Sequence, residues 1–197
     1  MPTPAVADLA AASDVIHTRR GEPVRLRFVT PDDADLLQGY VRSLSPRSRT
    51  KRFLGALSEL PKAVLDDFVA LGRNGRFSLI GTMEQDGVAR VVAEARYAFD
   101  RATGRVEFGL SVQDRWHGHG IGPGLIADLE RRARALGAIS LFGDALRTND
   151  VMIALARKAG FAIQPHADDW TLVRFEKVLI TPVAQLPGGP RHMTLII

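Results

Sequence analysis

Apolar and polar residues alternate from Val24 to Val29, the period of a half-buried strand. Thr30-Pro31-Asp32-Asp33 then carries helix-start chemistry: a hydroxyl at the N-cap, proline at the first helical position and an acid at the third. Leu37, Tyr40, Val41 and Leu44 follow at i, i+3, i+4 and i+7, which predicts a helix over about 31–43. Ser45-Pro46 opens a second short helix through Phe53, and Pro61 a third with Val64, Leu65, Phe68 and Val69 on its apolar side. The period then drops to two. Phe77–Met83 and Val88–Tyr97 read as strands around the hairpin signal Glu84-Gln85-Asp86-Gly87, and Arg105–Val112 as the next strand after a turn at Asp100–Gly104.

A one-sided stripe of Ile121, Leu125, Leu129 and Leu136 predicts a long helix ended by Gly137. Ile139–Phe142 reads as a short buried strand. Thr148 can cap a helix with Met152, Leu155, Ala156 and Ala159 on one side and Gly160 at its end. Trp170–Val178 is the last strand. Neither an internal repeat nor a low-complexity linker interrupts this order. The layout is α+β, with a mixed central sheet and helices on both faces.

The strand ending at Val112 runs through Gln113-Asp114-Arg115-Trp116-His117-Gly118-His119-Gly120-Ile121-Gly122 into the long helix. A glycine-rich turn at a helix N-terminus offers free backbone N–H groups at the positive end of the dipole, an anion site suited to a pyrophosphate. Arg115 adds a permanent charge beside it. No G-x-x-x-x-G-K-[ST] is present, so the turn is not a P-loop, and its glycines lack dinucleotide-fold spacing.

Composition narrows the chemistry. The 197 residues suffice for one domain with a core, and 46% are hydrophobic. Cysteine is absent, which excludes disulfides, thiolate nucleophiles, acyl-cysteine intermediates and zinc-cysteine sites. Residues 1–22 read as a flexible arm that lacks the basic start and long apolar core of a secretory leader, 23–180 as the folded domain and 181–197 as an irregular tail. The tail's apolar Thr194-Leu195-Ile196-Ile197 is compatible with docking on the body or on a second copy in a homodimer. No apolar run approaches membrane-span length, and a cytoplasmic location is expected. The net charge of +4 suits a phosphorylated ligand. The basic run Arg47-Ser48-Arg49-Thr50-Lys51-Arg52 has no interleaved aromatics, so it reads as a helix face bordering a cleft and not as a nucleic-acid contact. No histidine spacing implies a metal.

Arg115-x-x-Gly118-x-Gly120 is similar to the [QR]-x-x-G-x-[GA] signature of the GNAT N-acetyltransferase superfamily, and Asn149-x-x-Met152-x-x-Leu155-x-x-Lys158-x-Gly160-Phe161 resembles that superfamily's far-end segment. Leu26-Arg27-x-x-x-Pro31-x-Asp33-Ala34 with Arg42-Ser43-Leu44-Ser45-Pro46-x-Ser48-Arg49-x-x-Arg52-Phe53 is similar to the acetyltransferase domain of bacterial protein lysine acetyltransferases. The resemblance spans about Val24 to Glu176. It implies the GNAT fold and acetyl-CoA as co-substrate, without a metal. It further implies direct attack by a primary amine, from a protein lysine or a small molecule. A non-catalytic acyl-CoA sensor on the same fold is the alternative from another class. Neither nucleic acid nor membrane is expected as a partner.

The resemblance also assigns roles. Glu107, in a Glu-Phe pair, matches the catalytic glutamate and is the first candidate for general base, directly or through water. Its alternative is to face solvent or to pair with Arg105 or Arg96. Glu94 is the second candidate, and cross-strand pairing would set it near Glu107; its alternative is a salt bridge to an arginine. Leu110, Ser111 and Val112 are expected to face the thioester and pantetheine arm, where superfamily members often have a strand bulge. Arg115, His117, Gly118, His119, Gly120, Ile121 and Gly122 form the expected pyrophosphate loop. Asn149 reads equally as a pantetheine contact and as a helix cap shared with Thr148. The tyrosine that superfamily members often use as general acid falls at Ala156, so that acid is missing.

Overall fold

The computed structural model describes residues 13–179. In chain order the strands are β1 (Ser13–His17), β2 (Pro23–Phe28), β3 (Arg76–Gln85), β4 (Val88–Asp100), β5 (Arg105–Val112), β6 (Ser140–Leu146), β7 (Ala162–Pro165) and β8 (Leu172–Val178). The helices are α1 (Ala34–Ser43), α2 (Pro46–Phe53), α3 (Lys62–Phe68), α4 (Ile121–Ala135) and α5 (Asp150–Lys158). Eight strands make one mixed sheet in the order β1-β2-β3-β4-β5-β6-β8-β7. Every neighbouring pair is antiparallel except β5–β6.

Strand alternation divides the core in two. Tyr97, Val106, Phe108, Leu141 and Phe175 pack with Leu125, Leu129 and Ala156 of α4 and α5 on one face. Ile80 and Val91 pack with Leu37, Tyr40, Val41 and Phe68 of α1 and α3 on the other. Helices therefore cover both faces, as the amphipathic stripes predict. Among the described residues no helix is long and apolar enough to cross a membrane.

Three expectations need correction. The arm predicted through Glu22 is built structure from Ser13 onward: β1 pairs with β2, and Asp14 reaches Arg131 at 2.6 Å and Arg132 at 2.5 Å on α4. Five residues are too few for a periodicity signal, so this strand was invisible until its partner was known. The strand predicted from Trp170 begins at Leu172 and pairs with β7, which no pattern announced. Asn149, and not Thr148, caps α5, accepting from the Met152 N–H at 3.4 Å. The tail and its apolar end lie outside the described residues.

Candidate active site

The ladder between β5 and β6 is short. It joins Arg105 to Ser140, Val106 to Leu141 and Glu107 to Phe142, then stops. Gly143 permits the last close approach, since a Cβ there would stand 2.6 Å from the Phe108 carbonyl oxygen. Past this point β5 stays with β4 and β6 stays with β8, so the sheet parts. The Gln113 N–H donates to Val92 O at 2.8 Å, which turns the backbone of odd-numbered β5 residues toward β4. Leu110 and Val112 therefore point their backbone groups into the parting, where the Val112 carbonyl meets His117 Nε2 at 2.8 Å. The expected bulge is not in β5, whose register against β4 is continuous. The irregularity falls between β3 and β4, where Val92 is the extra residue.

The parting widens into a cleft of about 1460 Å³, lined by β5, the glycine loop, α2 and α5. That volume exceeds the range of drug-sized pockets and suits an elongated ligand. At one end lies the loop. Gly118 and Gly120 have φ of 78° and 93°, a region only glycine enters freely. The helix α4 has no side-chain cap and no acid in its first turn. Among the described residues nothing accepts from the N–H groups of Gly118, Gly120, Ile121 or Gly122. These donors and the fifteen-residue helix make an anion cradle, which is what a pyrophosphate requires.

Arg115 does not supply the charge expected of it. It is exposed, lies outside the cleft lining, and donates to Gln113 at 2.9 Å and Gln85 at 2.8 Å. His117 lines the cleft. His119 lies outside the lining and stands edge-on to Trp116, with Nδ1 3.0 Å from the His117 carbonyl. Asn149 lines the cleft as well as capping α5, so both of its expected roles stay open.

One wall is α2, a helix with no buried residue, attached largely by polar ties. Asp114 accepts from the Ser45 N–H at 2.9 Å and from the hydroxyls of Ser45 and Ser48 at 2.7 Å. Burial alone would raise the Asp114 pKa, but these hydrogen bonds outweigh it and hold it below the usual carboxylate range. At the other end of the helix Arg52 lies across Gly109, where a Cβ would come within 2.8 Å of its Nη1. Arg52 then grips Glu94 through two hydrogen bonds of 2.9 and 2.8 Å. Ser111 donates to Glu94 at 3.3 Å, so the buried Tyr40 hydroxyl donates to Ser111 at 3.0 Å. Burial pushes the Tyr40 pKa up.

The two candidate acids are differently placed. Glu94 is 1% exposed and fully engaged, whereas Glu107 is exposed and lines the cleft. Nor do the acids meet. Ser111 lies opposite Glu94 and Ala98 opposite Glu107, so they stand four residues apart, about 13 Å along the strands. Of its alternatives, facing solvent fits the exposed Glu107, whereas both arginines are taken: Arg105 pairs with Glu176 at 3.0 Å, and Arg96 with Asp67. Among the described residues Glu107 has no ion-pair or side-chain hydrogen-bond partner. Ala156 is wholly buried in the core, so the tyrosine position offers no proton. Arg52, Ser48, Lys158 and Arg19 also line the cleft but were not assigned to it individually. The basic run Arg47–Arg52 signalled the first two; nothing local marked Arg19.

A mixed sheet parted between its single described parallel pair, with an uncapped helix at the mouth of the parting, is the GNAT class of fold. The model of the Acetyltransferase (GNAT) family matches residues 43–161, and the chain belongs to that family. It is 28% identical over 153 residues to acetyltransferase PA5475 of Pseudomonas aeruginosa, covering 78% of this chain and 82% of that protein. It superposes on the GNAT domain of S. lividans PAT with a TM-score of 0.76 at 24% identity, over 85% of this chain and 97% of that one. A ribosomal-protein-alanine N-acetyltransferase from Brucella melitensis gives a TM-score of 0.60 at 22% identity, over 78% and 99% of the two chains. The two structural likenesses speak to the fold alone.

Proposed function

We propose that the protein transfers an acetyl group from acetyl-CoA to a primary amine by direct attack, with Glu107 as general base. The carrying observation is the alignment of three features along one cleft: the uncapped N-terminus of α4, the open backbone edge of β5 and the unpaired Glu107. When bound, acetyl-CoA supplies the acetyl group already activated as a thioester. The N–H groups of Gly118, Gly120, Ile121 and Gly122 fit its pyrophosphate. The edge of Leu110 and Val112 fits its amide-rich arm, with Asn149 close by. The Leu110 N–H, which points into the parting, is the donor offered to the carbonyl oxygen on which negative charge develops as the amine attacks. Glu107 takes the amine proton through a water, since its Cα lies three residues, about 10 Å, before Leu110. Glu94 is gripped by Arg52 through two hydrogen bonds and serves the wall. With alanine at position 156, the departing thiolate takes its proton from solvent.

The acceptor favoured is a protein lysine, on the segments Leu26–Ala34 and Arg42–Phe53 quoted above. Much of their chemistry is taken up inside the fold: Arg27 binds Asp33 through two contacts of 2.7 Å, and Ser45, Ser48 and Arg52 of the cleft wall are tied to Asp114 and Glu94. A small-molecule amine is therefore the second acceptor class to screen. The test is calorimetric titration with acetyl-CoA, followed by turnover of Glu107→Gln. Tight binding with turnover lost only in the variant supports the reading. No binding by the intact protein overturns it, and binding without turnover on any amine leaves the sensor alternative.

A further inference from the structure

The motif arginine of the phosphate loop is turned away, and the structure supplies a different one. We infer that Arg19, on the β1–β2 turn, is the guanidinium that binds a phosphoryl group of the donor at the α4 N-terminus. The inference rests on the acetyl-CoA reading of the cleft.

The placement is specific. The Arg19 N–H donates to the His119 carbonyl at 2.7 Å, which fixes the turn onto the glycine loop. The stem of Arg19 crosses Gly120 so closely that a Cβ there would lie 3.0 Å from Arg19 Cγ. Arg19 lines the cleft and is exposed, and among the described residues its guanidinium has no hydrogen bond or ion pair. Its neighbour Arg20 shares the turn and is exposed, but does not line the cleft.

The turn is held from within and from below. Thr18 is 5% exposed; its hydroxyl donates to Glu22 at 3.0 Å and accepts from the Glu22 N–H at 3.1 Å. Gly21, at φ 85°, closes the bend. Underneath, Asp14 binds Arg131 and Arg132 of α4, and Ile16 packs where a Cβ on Gly124 would come within 2.9 Å. The β1–β2 hairpin is thereby fastened to the helix whose N-terminus forms the anion cradle. A guanidinium carried on such a base loses little freedom on binding, which suits bidentate capture of a phosphoryl group. The pyrophosphate and the 3′-phosphate of the donor both present that chemistry.

The experiment compares Arg19→Gln and Arg20→Gln with the intact protein, using acetyl-CoA, its 3′-dephospho form and acetyl-pantetheine, which carries no phosphate. Arg19→Gln is expected to weaken acetyl-CoA binding about tenfold, the scale of one charge-assisted hydrogen bond, with the melting temperature unchanged. Arg20→Gln is expected to match the intact protein. The kcat/KM for acetyl-pantetheine is expected to be the same in both variants and the intact protein. A penalty that survives with the dephospho donor assigns Arg19 to the pyrophosphate; one that disappears assigns it to the 3′-phosphate. Unchanged acetyl-CoA affinity in Arg19→Gln, or an equal loss with acetyl-pantetheine, overturns the assignment while leaving the acetyltransferase reading intact. If the unmodified protein binds no acetyl-CoA, both fall together.

Discussion

Glu94 and Glu107 point from the same face of the same sheet, yet their surroundings are opposite. Around Glu94 the face is roofed by α1 and α2, and the carboxylate is closed in by Arg52 and Ser111. Around Glu107 the face is open, and the neighbouring charges have found each other: Arg105 with Glu176, Arg174 with Asp144, Arg96 with Asp67. A buried charge must be paired, because removing its partner leaves an uncompensated ion in a poorly polarisable medium. An exposed charge carries no such obligation and stays available to a substrate. The comparison teaches that burial, and not residue type or strand position, separates the acid engaged in the wall from the acid left free for a substrate.

The largest effect is expected at the open site. Glu107→Gln should lower kcat by about 10²–10⁴-fold, the usual worth of general-base catalysis, with the urea midpoint unchanged. A stability loss with kcat intact would reverse the roles of the two acids. Glu94→Ala should do the converse, costing about 3–5 kcal/mol in urea unfolding because the Arg52 guanidinium, its side chain only 12% exposed, is left without its partner. If Glu94→Ala keeps its stability and loses turnover at saturating acetyl-CoA, the covered region is reactive after all.

A smaller effect is expected at Gly109, over which Arg52 passes. Gly109→Ala forces that guanidinium to shift, and a cost of about 1–2 kcal/mol is expected in the same assay, the scale of a disturbed charged hydrogen bond. No change would mean that the strut is looser than its 2.8 Å clearance indicates.

The smallest effect concerns pH. Asp114 has a depressed pKa, so its stabilising contribution is complete above the unfolded value of about 3.9 and fades as pH falls through the lower folded value. The stability gap between the intact protein and Asp114→Asn, about 1 kcal/mol at neutral pH, should therefore close in acid. A gap that widens toward low pH would refute the assigned hydrogen bonds.

The sequence was most legible where structure depends on near neighbours. The limits of α2 followed from Ser45-Pro46, and those of β5 from alternation after a turn; both match the structure residue for residue. The glycine turn and its free N–H groups were legible because those donors belong to the backbone of one short segment. That Arg115 lies outside the cleft lining was not legible, because a motif states which residue is near a loop, not which way its side chain turns. Arg19 was missed because it was assigned to an arm, and its place by Gly120 exists only through the pairing of β1 with β2 and the ties from Asp14 to α4.

By itself, then, the sequence determined most of the element order, the α+β class, the family resemblance and the glycine turn that opens the long helix, since these rest on periodicity, caps and glycines acting within a few positions. Tertiary structure decided which glutamate is free and which arginine faces the cleft. It also decided where the sheet parts. Each of those outcomes depends on contacts between residues far apart in the chain, such as Arg52 with Glu94 or Arg19 with His119, and register and packing alone bring them together.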